Sequence, residues 1–245
     1  MLEISSLLQR LTTDNPTAPR ITHYDDSGRI ELSGRVLVNW VSKAANLLVE
    51  EFDVQPAQVL VLDLPVGHWR ATYWALAAWL CGAHVVVTDA RWTPEAPASD
   101  VPLVLEQVDV VITTRPVQWA ESGADVVAVE PQALARAFSG DLAGALDEAA
   151  ELSTYGDVAP DPESPLPDDA ALSDVGYTLT YRELPTPHEG GRVLLPLTRE
   201  AVPLQVIALV LAVLAADGSV VCVAPDAATP VDRVAGDEQA QILRL

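Results

Sequence analysis

Basic residues are scarce in this chain of 245 residues. It contains 14 Lys and Arg against 35 Asp and Glu, which gives a formal net charge of −21, and Lys43 is its only lysine. Nucleic acids and anionic membrane surfaces are bound by clustered Lys and Arg. The composition therefore argues against a nucleic-acid partner and against attachment to a membrane by charge. A reaction that needs a lysine must use Lys43 or none.

Cysteine and long apolar runs are also sparse. Cys81 and Cys222 stand in apolar surroundings with no second Cys or His at a metal-ligand spacing, so we predict buried free thiols and no metal site. The longest apolar run, residues 201–216, is interrupted by Pro203 and is shorter than the ~20 residues of a membrane span. The N-terminal residues lack the features of a signal peptide. We expect a cytoplasmic protein.

A strand–helix–strand pattern occurs twice among the apolar residues that make up 49% of the chain. In the first copy a strand at residues 59–64 precedes a helix at 69–80, and "HVVVTD" follows Gly82. In the second copy "RVLLPL", an apolar helix, Gly218 and "SVVCVAP" follow in the same order. A βαβ unit implies parallel strands. We predict an α/β protein with two doubly wound, mostly parallel sheets, and a short helix at residues 131–140.

A change of composition separates the two copies. Residues 151–170 contain acidic residues and four prolines at positions 160, 162, 165 and 167, which is typical of a surface linker or a long loop. We therefore predict a first α/β subdomain at residues 1–150, a linker at 151–170, and a smaller α/β subdomain at 171–245 packed on the first.

Two stretches resemble the N-terminal part of the adenylate-forming superfamily, the acyl-CoA synthetase-like or AMP-binding enzymes. The first runs from "LSGRVLVNWVSKAANLL" to "VLVLDLPVGHWRATYWALAAWLCGAHVVV", and the second is "RVLLPLTREAVPLQVIALVLAVLAADGSVVCVAP". Their matching positions include Asn46-Leu47, Leu64-Pro65 and Gly82-Ala83. More narrowly, the chain is similar to a short actinobacterial group of such relatives. The resemblance implies the two-subdomain fold of that N-terminal domain.

The chain departs from the superfamily where the chemistry is expected. The family's phosphate loop is a Gly-rich turn that ends in Pro-Lys-Gly and cradles ATP phosphates. The corresponding region here, "ALSDVGYTLTYRELPTPHEGG", has no Gly-rich turn and no lysine. The later adenine and Thr-Gly-Asp motifs and the C-terminal domain with its adenylation lysine have no counterpart. We therefore expect no catalytic residue and no cofactor, with ATP or AMP plus Mg²⁺ as the alternative.

Seven residues are candidates for ligand binding because of where they fall relative to predicted strands. His68 follows a strand and precedes a helix, and Thr113, Thr114 and Arg115 follow another strand. Open α/β sheets bind ligands at such carboxyl ends. The remaining candidates take the place of the missing loop, and a plain strand is the competing interpretation for them: Thr178, Thr180 and Arg182. The other histidines, His23, His84 and His188, are interpreted as structural or surface residues.

These features support three functional hypotheses. The first is a truncated, non-catalytic relative of acyl-CoA synthetases that acts as a binding or interaction module. The second is a residual nucleotide- or acyl-ligand-binding protein, or an AMP-dependent ligase-like enzyme, that uses the remaining crevice. The third is a scaffold for a protein partner or a homodimer that uses Trp69, Trp74 and Trp79, although these residues fit a core better. The path of residues 171–192 discriminates between them, because an amide-lined turn favours nucleotide binding and a flat strand does not.

Overall fold

Twelve strands and six α-helices make up the described part of the chain, which in this computed structural model covers residues 2–88, 108–174, 176–184 and 188–244. The helices are α1 (Ile4–Thr13), α2 (Gly34–Phe52), α3 (Trp69–Leu80), α4 (Glu148–Glu151), α5 (Pro203–Ala215) and α6 (Val231–Asp237). The strands are β1 (Pro19–Asp25), β2 (Gly28–Ser33), β3 (Val59–Asp63), β4 (His84–Val87), β5 (Val110–Thr113), β6 (Asp125–Ala128), β7 (Leu146–Asp147), β8 (Ala170–Ser173), β9 (Thr178–Thr180), β10 (Arg192–Pro196), β11 (Ser219–Val223) and β12 (Gln241–Ile242).

The larger sheet has seven strands in the order β7-β6-β5-β3-β4-β8-β9. All neighbours are parallel except β8 and β9, which form an antiparallel pair. The central strand β3 places Leu60 opposite Val85 on one side and Val110 on the other. Its short apolar run without alternation is typical of a strand that is covered on both faces.

The smaller sheet has five strands in the order β12-β10-β11-β1-β2. Strands β12, β10, β11 and β1 are parallel, and β2 returns antiparallel to β1 through a tight turn. The Asp25 carboxylate closes this turn by accepting hydrogen bonds from the backbone amides of Ser27 and Gly28. Two mostly parallel sheets with helices are thus confirmed as the fold.

Both sheets draw strands from distant parts of the chain. Strands β1 and β2 join the sheet built from the C-terminal residues, while β8 and β9 join the sheet built from the N-terminal half. The division at residues 150 and 171 stays a prediction, and the sheets distribute the chain differently from it. The loop between α4 and β8 is irregular apart from a short 3-10 turn at Leu152–Thr154, as expected of a linker composition.

Helix α3 lies in the core and contacts strands of both sheets as well as α2 and α5. The indole side chains of Trp69, Trp74 and Trp79 are 3%, 0% and 2% exposed, which confirms them as core residues and leaves no surface for an interface there. Gly82 follows the helix with φ +76, a conformation that favours glycine, and a Cβ atom there would lie 3.1 Å from Pro56.

The predicted helix at residues 131–140 is wrong. These residues form turns, and two of their amides bond to side chains instead of to carbonyls one turn earlier. The amide of Phe138 donates to the Asp147 carboxylate and that of Ser139 to the Glu130 carboxylate. Among the described residues, no helix has the length and apolar character needed to span a lipid bilayer.

Candidate ligand cleft

A cleft of about 290 Å³ opens where the carboxyl ends of strands from the two sheets meet. The cleft is lined by residues at the ends of β3 of the larger sheet and of β1, β10 and β11 of the smaller sheet, so each sheet contributes one wall. Parallel strands end at one edge, and the loops beyond that edge are where α/β proteins hold ligands. Three carboxylates and one guanidinium face the cleft, from Asp25, Asp26, Asp226 and Arg199.

Two histidines and a carboxylate come together in the wall of this cleft. One ligand atom from each of His23, Asp25 and His68 lies within 4.8 Å of the others. The Nε2 atom of His23 is 3.5 Å from Oδ2 of Asp25, and the two imidazole rings meet edge to face with centroids 5.0 Å apart. Residues 23 and 25 are two apart on β1, so the pleat of the strand puts them on the same face.

His68 stands at the start of α3 and caps it. Its Nδ1 atom accepts a hydrogen bond from the Arg70 amide, with a nitrogen–nitrogen distance of 3.3 Å. The side chain thereby satisfies one of the amides that a helix leaves without a partner in its first turn. This cap fixes the ring beside the cleft.

Burial keeps both rings neutral. His23 and His68 are 3% and 5% exposed. Burial, together with the neighbouring His23 and Arg70, lowers the pKa of His68 to about 3. Burial also lowers the pKa of His23, against the opposing effect of Asp25. At neutral pH each ring therefore keeps a lone pair available.

A second polar centre lies close by, at the carboxyl end of β3, and it is built around Asp63. Its carboxylate forms an ion pair with Arg115 and accepts hydrogen bonds from the Thr113 hydroxyl at 2.6 Å and the Trp119 indole at 3.0 Å. The Thr114 amide is directed at the Asp63 carbonyl oxygen at 3.4 Å. The predicted group Thr113, Thr114 and Arg115 is thus assembled around an internal carboxylate.

The other predicted residues lie around β9, at the edge of the larger sheet. Thr178 accepts a hydrogen bond from Ser173, Thr180 donates to Glu183, and Arg182 pairs with Asp168 at the surface. Of the seven predicted residues, all of which are described, only His68 lines the cleft.

The resemblance to the superfamily sets its phosphate loop against residues 171–191, and three described residues of that stretch, Asp174, Gly176 and Tyr177, form what we call the β8–β9 turn. The Oδ1 atom of Asp174 accepts hydrogen bonds from the backbone amides of Gly176 and Tyr177, both at 3.0 Å. The Asp174 amide in turn donates to the Tyr177 carbonyl at 3.0 Å. The Asp174 carboxylate therefore already engages two amide donors of this stretch.

Comparison with known proteins identifies the family. No family model matches the chain. A curated relative, the "TIGR03089 family protein" of Mycobacterium tuberculosis (strain ATCC 25618 / H37Rv), is 30% identical over 254 residues, which cover 97% of this chain and 96% of the relative. The chain belongs to the TIGR03089 family.

Solved structures with this fold are adenylate-forming enzymes. The Mycobacterium tuberculosis fatty acyl CoA synthetase is 18% identical with a TM-score of 0.65, and the match covers 97% of this chain and 48% of the enzyme. Coronafacic acid ligase from Pectobacterium brasiliense is 10% identical with a TM-score of 0.70 over 99% and 50%. The N-terminal domain of FACL13 from Mycobacterium tuberculosis is 15% identical with a TM-score of 0.65 over 98% and 62%. This TIGR03089 family chain therefore has the fold of their N-terminal part and spans about half the length of the whole enzymes.

The residues at the β8–β9 turn do not fit the nucleotide that this fold implies. A phosphate would have to displace the Asp174 carboxylate from the amides of Gly176 and Tyr177 while carrying charge of the same sign. Like charges at close range repel. No step of a reaction is therefore assigned to ATP at this turn.

The sequence analysis missed His23 and Asp25 as members of the site. The local signal was their spacing of two on a predicted strand, which places both side chains on one face. Their approach to His68 depends on the parallel pairing of β1 with β11, which sets His23 opposite Cys222. Nothing in the local pattern of either strand specifies that pairing.

Proposed function

We propose that this chain is a non-adenylating relative of the acyl-CoA synthetase-like enzymes and acts as a ligand-binding module. The observation that carries the proposal is the β8–β9 turn, in which the Asp174 carboxylate holds the amides of Gly176 and Tyr177. In the adenylate-forming superfamily, the chemistry begins when the phosphate loop binds the ATP phosphates. An internal anion in that place removes the donors and adds a repelling charge.

The position of the only lysine supports the same conclusion. Lys43 is on α2, where its ammonium group donates to the Ser153 carbonyl at 3.0 Å and pairs with Asp157 at 2.7 Å. Its side chain thus ties α2 to the loop after α4. Lys43 belongs neither to the β8–β9 turn nor to the residues that line the cleft.

Pyrophosphate release tests this proposal. Incubation of the chain with ATP, Mg²⁺ and a panel of carboxylic acids is expected to give no release above a protein-free control. Release that depends on one acid of the panel would overturn the proposal. Asp174→Ala tests the physical reason, because it removes both the charge and the oxygen that accepts from the amides of Gly176 and Tyr177. We expect Asp174→Ala to bind Mg-ATP more tightly than the wild type, while Asp168→Ala, which removes an exposed charge from the neighbouring loop, does not.

A second candidate is a residual nucleotide- or acyl-ligand-binding protein, and the cleft itself favours it. A concave site of about 290 Å³ between two sheets approaches the size of small-molecule pockets. A thermal-shift screen with AMP, ATP, CoA and acyl thioesters checks this candidate, because a ligand at 100 times its dissociation constant adds about 2.7 kcal/mol of stability. Stabilisation by one of these ligands that is lost when Ala224→Trp fills the cleft supports it. The absence of any shift contradicts it.

A further inference from the structure

We propose that His23, Asp25 and His68 form a binding site for a divalent transition-metal ion, with Zn²⁺ as the best match. This inference goes beyond the proposed function and does not depend on it. It rests on the geometry of the three donors, on the burial of both imidazole rings, and on the charge of the cleft.

The separations within the cluster suit a small ion. The His23 Nε2 and Asp25 Oδ2 atoms are 3.5 Å apart, and ligand atoms from all three residues lie within 4.8 Å of one another. Bonds of about 2.0–2.1 Å in a tetrahedron place neighbouring ligand atoms about 3.3–3.4 Å apart. The first pair therefore already has the required spacing.

Coordination through His23 Nε2 and His68 Nδ1 leaves one nitrogen of each ring outside the metal site. These two atoms, His23 Nδ1 and His68 Nε2, are buried. The backbone carbonyl groups of Gly67 and Pro131 interact with the two rings. A carbonyl is a usual partner of the ring nitrogen that does not bind the metal.

One existing interaction opposes the ion, and it is weak. The Arg70 amide donates to His68 Nδ1 across 3.3 Å, and coordination through Nδ1 would displace it. Coordination by three donors would replace this single long hydrogen bond.

The surroundings favour a cation over an anion. Besides Asp25, the cleft is lined by Asp26 and Asp226, against the single guanidinium of Arg199. Imidazole donors select Zn²⁺ and other transition metals over Mg²⁺, which prefers oxygen ligands. With three protein donors facing a cleft, a fourth position stays open to water or to a ligand.

Histidine ring resonances of the wild-type chain provide the test. The chain has four histidines, and only two of them belong to the cluster. After treatment with a chelator, a titration with ZnCl₂ followed by long-range ¹H–¹⁵N spectra is expected to move the rings of His23 and His68, with saturation at one ion per chain. His84 bonds to Ser173 and His188 is exposed, so both rings serve as internal controls that do not move. Saturation without movement of the two cluster rings, or with movement of the control rings instead, would overturn the proposal.

Calorimetry on variants extends the test. Asp25→Asn and His68→Asn are expected to weaken Zn²⁺ binding by about tenfold to 100-fold, a range seen even for residues that only support metal ligands. His188→Gln is the matched control and is expected to bind as the wild type does. MgCl₂ is expected to give no heat at the concentrations at which Zn²⁺ saturates. Equal affinities in all four proteins would contradict the site. The wild-type ring spectra decide the question if a variant fails to fold.

Discussion

Two polar centres lie close together at the carboxyl end of β3, and they differ in how fully their groups are paired. Around Asp63, one carboxylate is matched by Arg115, Thr113 and Trp119. Around His68, two buried ring nitrogens lack a hydrogen bond and a cleft lies beside them. The first centre pairs its groups within the protein, and the second gathers three possible metal ligands beside a cleft. The comparison teaches that placement after a parallel strand is not enough to identify a binding residue.

The largest effect is expected from breaking the Asp63 centre. Asp63→Ala removes the buried carboxylate that pairs with Arg115 and accepts hydrogen bonds from Thr113 and Trp119. Removing one member of a buried ion pair typically costs about 3–5 kcal/mol. Urea denaturation is expected to show a loss of that size in the free energy of unfolding. Asp168→Ala breaks the exposed pair with Arg182 and is the matched control, with an expected loss under about 1 kcal/mol.

A paired centre at the opposite end of the smaller sheet gives a pH-dependent prediction. Burial would raise the pKa of Glu238, but hydrogen bonds from Arg29, Tyr24 and Arg192 hold it at about 2. Because the folded pKa lies below the unfolded value, the contribution to stability is complete above pH 4.5 and is lost as the pH falls from 4.5 to 2. Between pH 5 and pH 2.5, Glu238→Gln is expected to lose about 2 kcal/mol less stability than the wild type. Equal losses in urea midpoint would contradict the pairing.

The cluster of His23, Asp25 and His68 is expected to contribute less to stability than the Asp63 centre. In the metal-free chain, His68→Asn keeps an acceptor for the Arg70 amide at the start of α3, because Asn is a good helix cap. We expect its free energy of unfolding to stay within about 1 kcal/mol of the wild type, well below the cost of Asp63→Ala. A loss as large as that of Asp63→Ala would mean that His68 serves the fold rather than a ligand.

The smallest effect is expected at the β8–β9 turn. Asp174→Asn retains the side-chain oxygen that accepts from Gly176 and Tyr177, so urea denaturation is expected to show a change of about 0.5 kcal/mol or less. A larger loss would show that the carboxylate charge itself supports the turn.

Much of the fold was predictable because its signals are local. The β-branched runs of β3 and β4 and the apolar run of α5 carry their periodicity and their glycine boundary within a few residues. The segment at residues 131–140 was not, since its amides bond to carboxylates of Glu130 and Asp147 rather than along a helix. The site was half predictable: His68 follows a strand, but its neighbours on β1 reach it only through long-range pairing.

Backbone amide spectra of the wild-type chain during a titration with Mg-ATP test the central claim most directly. The account holds that the Asp174 carboxylate already occupies the amides that a phosphate would need. It predicts that the amide resonances of Gly176 and Tyr177 stay in place up to millimolar Mg-ATP. Saturable movement of both resonances would contradict it, because the turn would then be a working phosphate site.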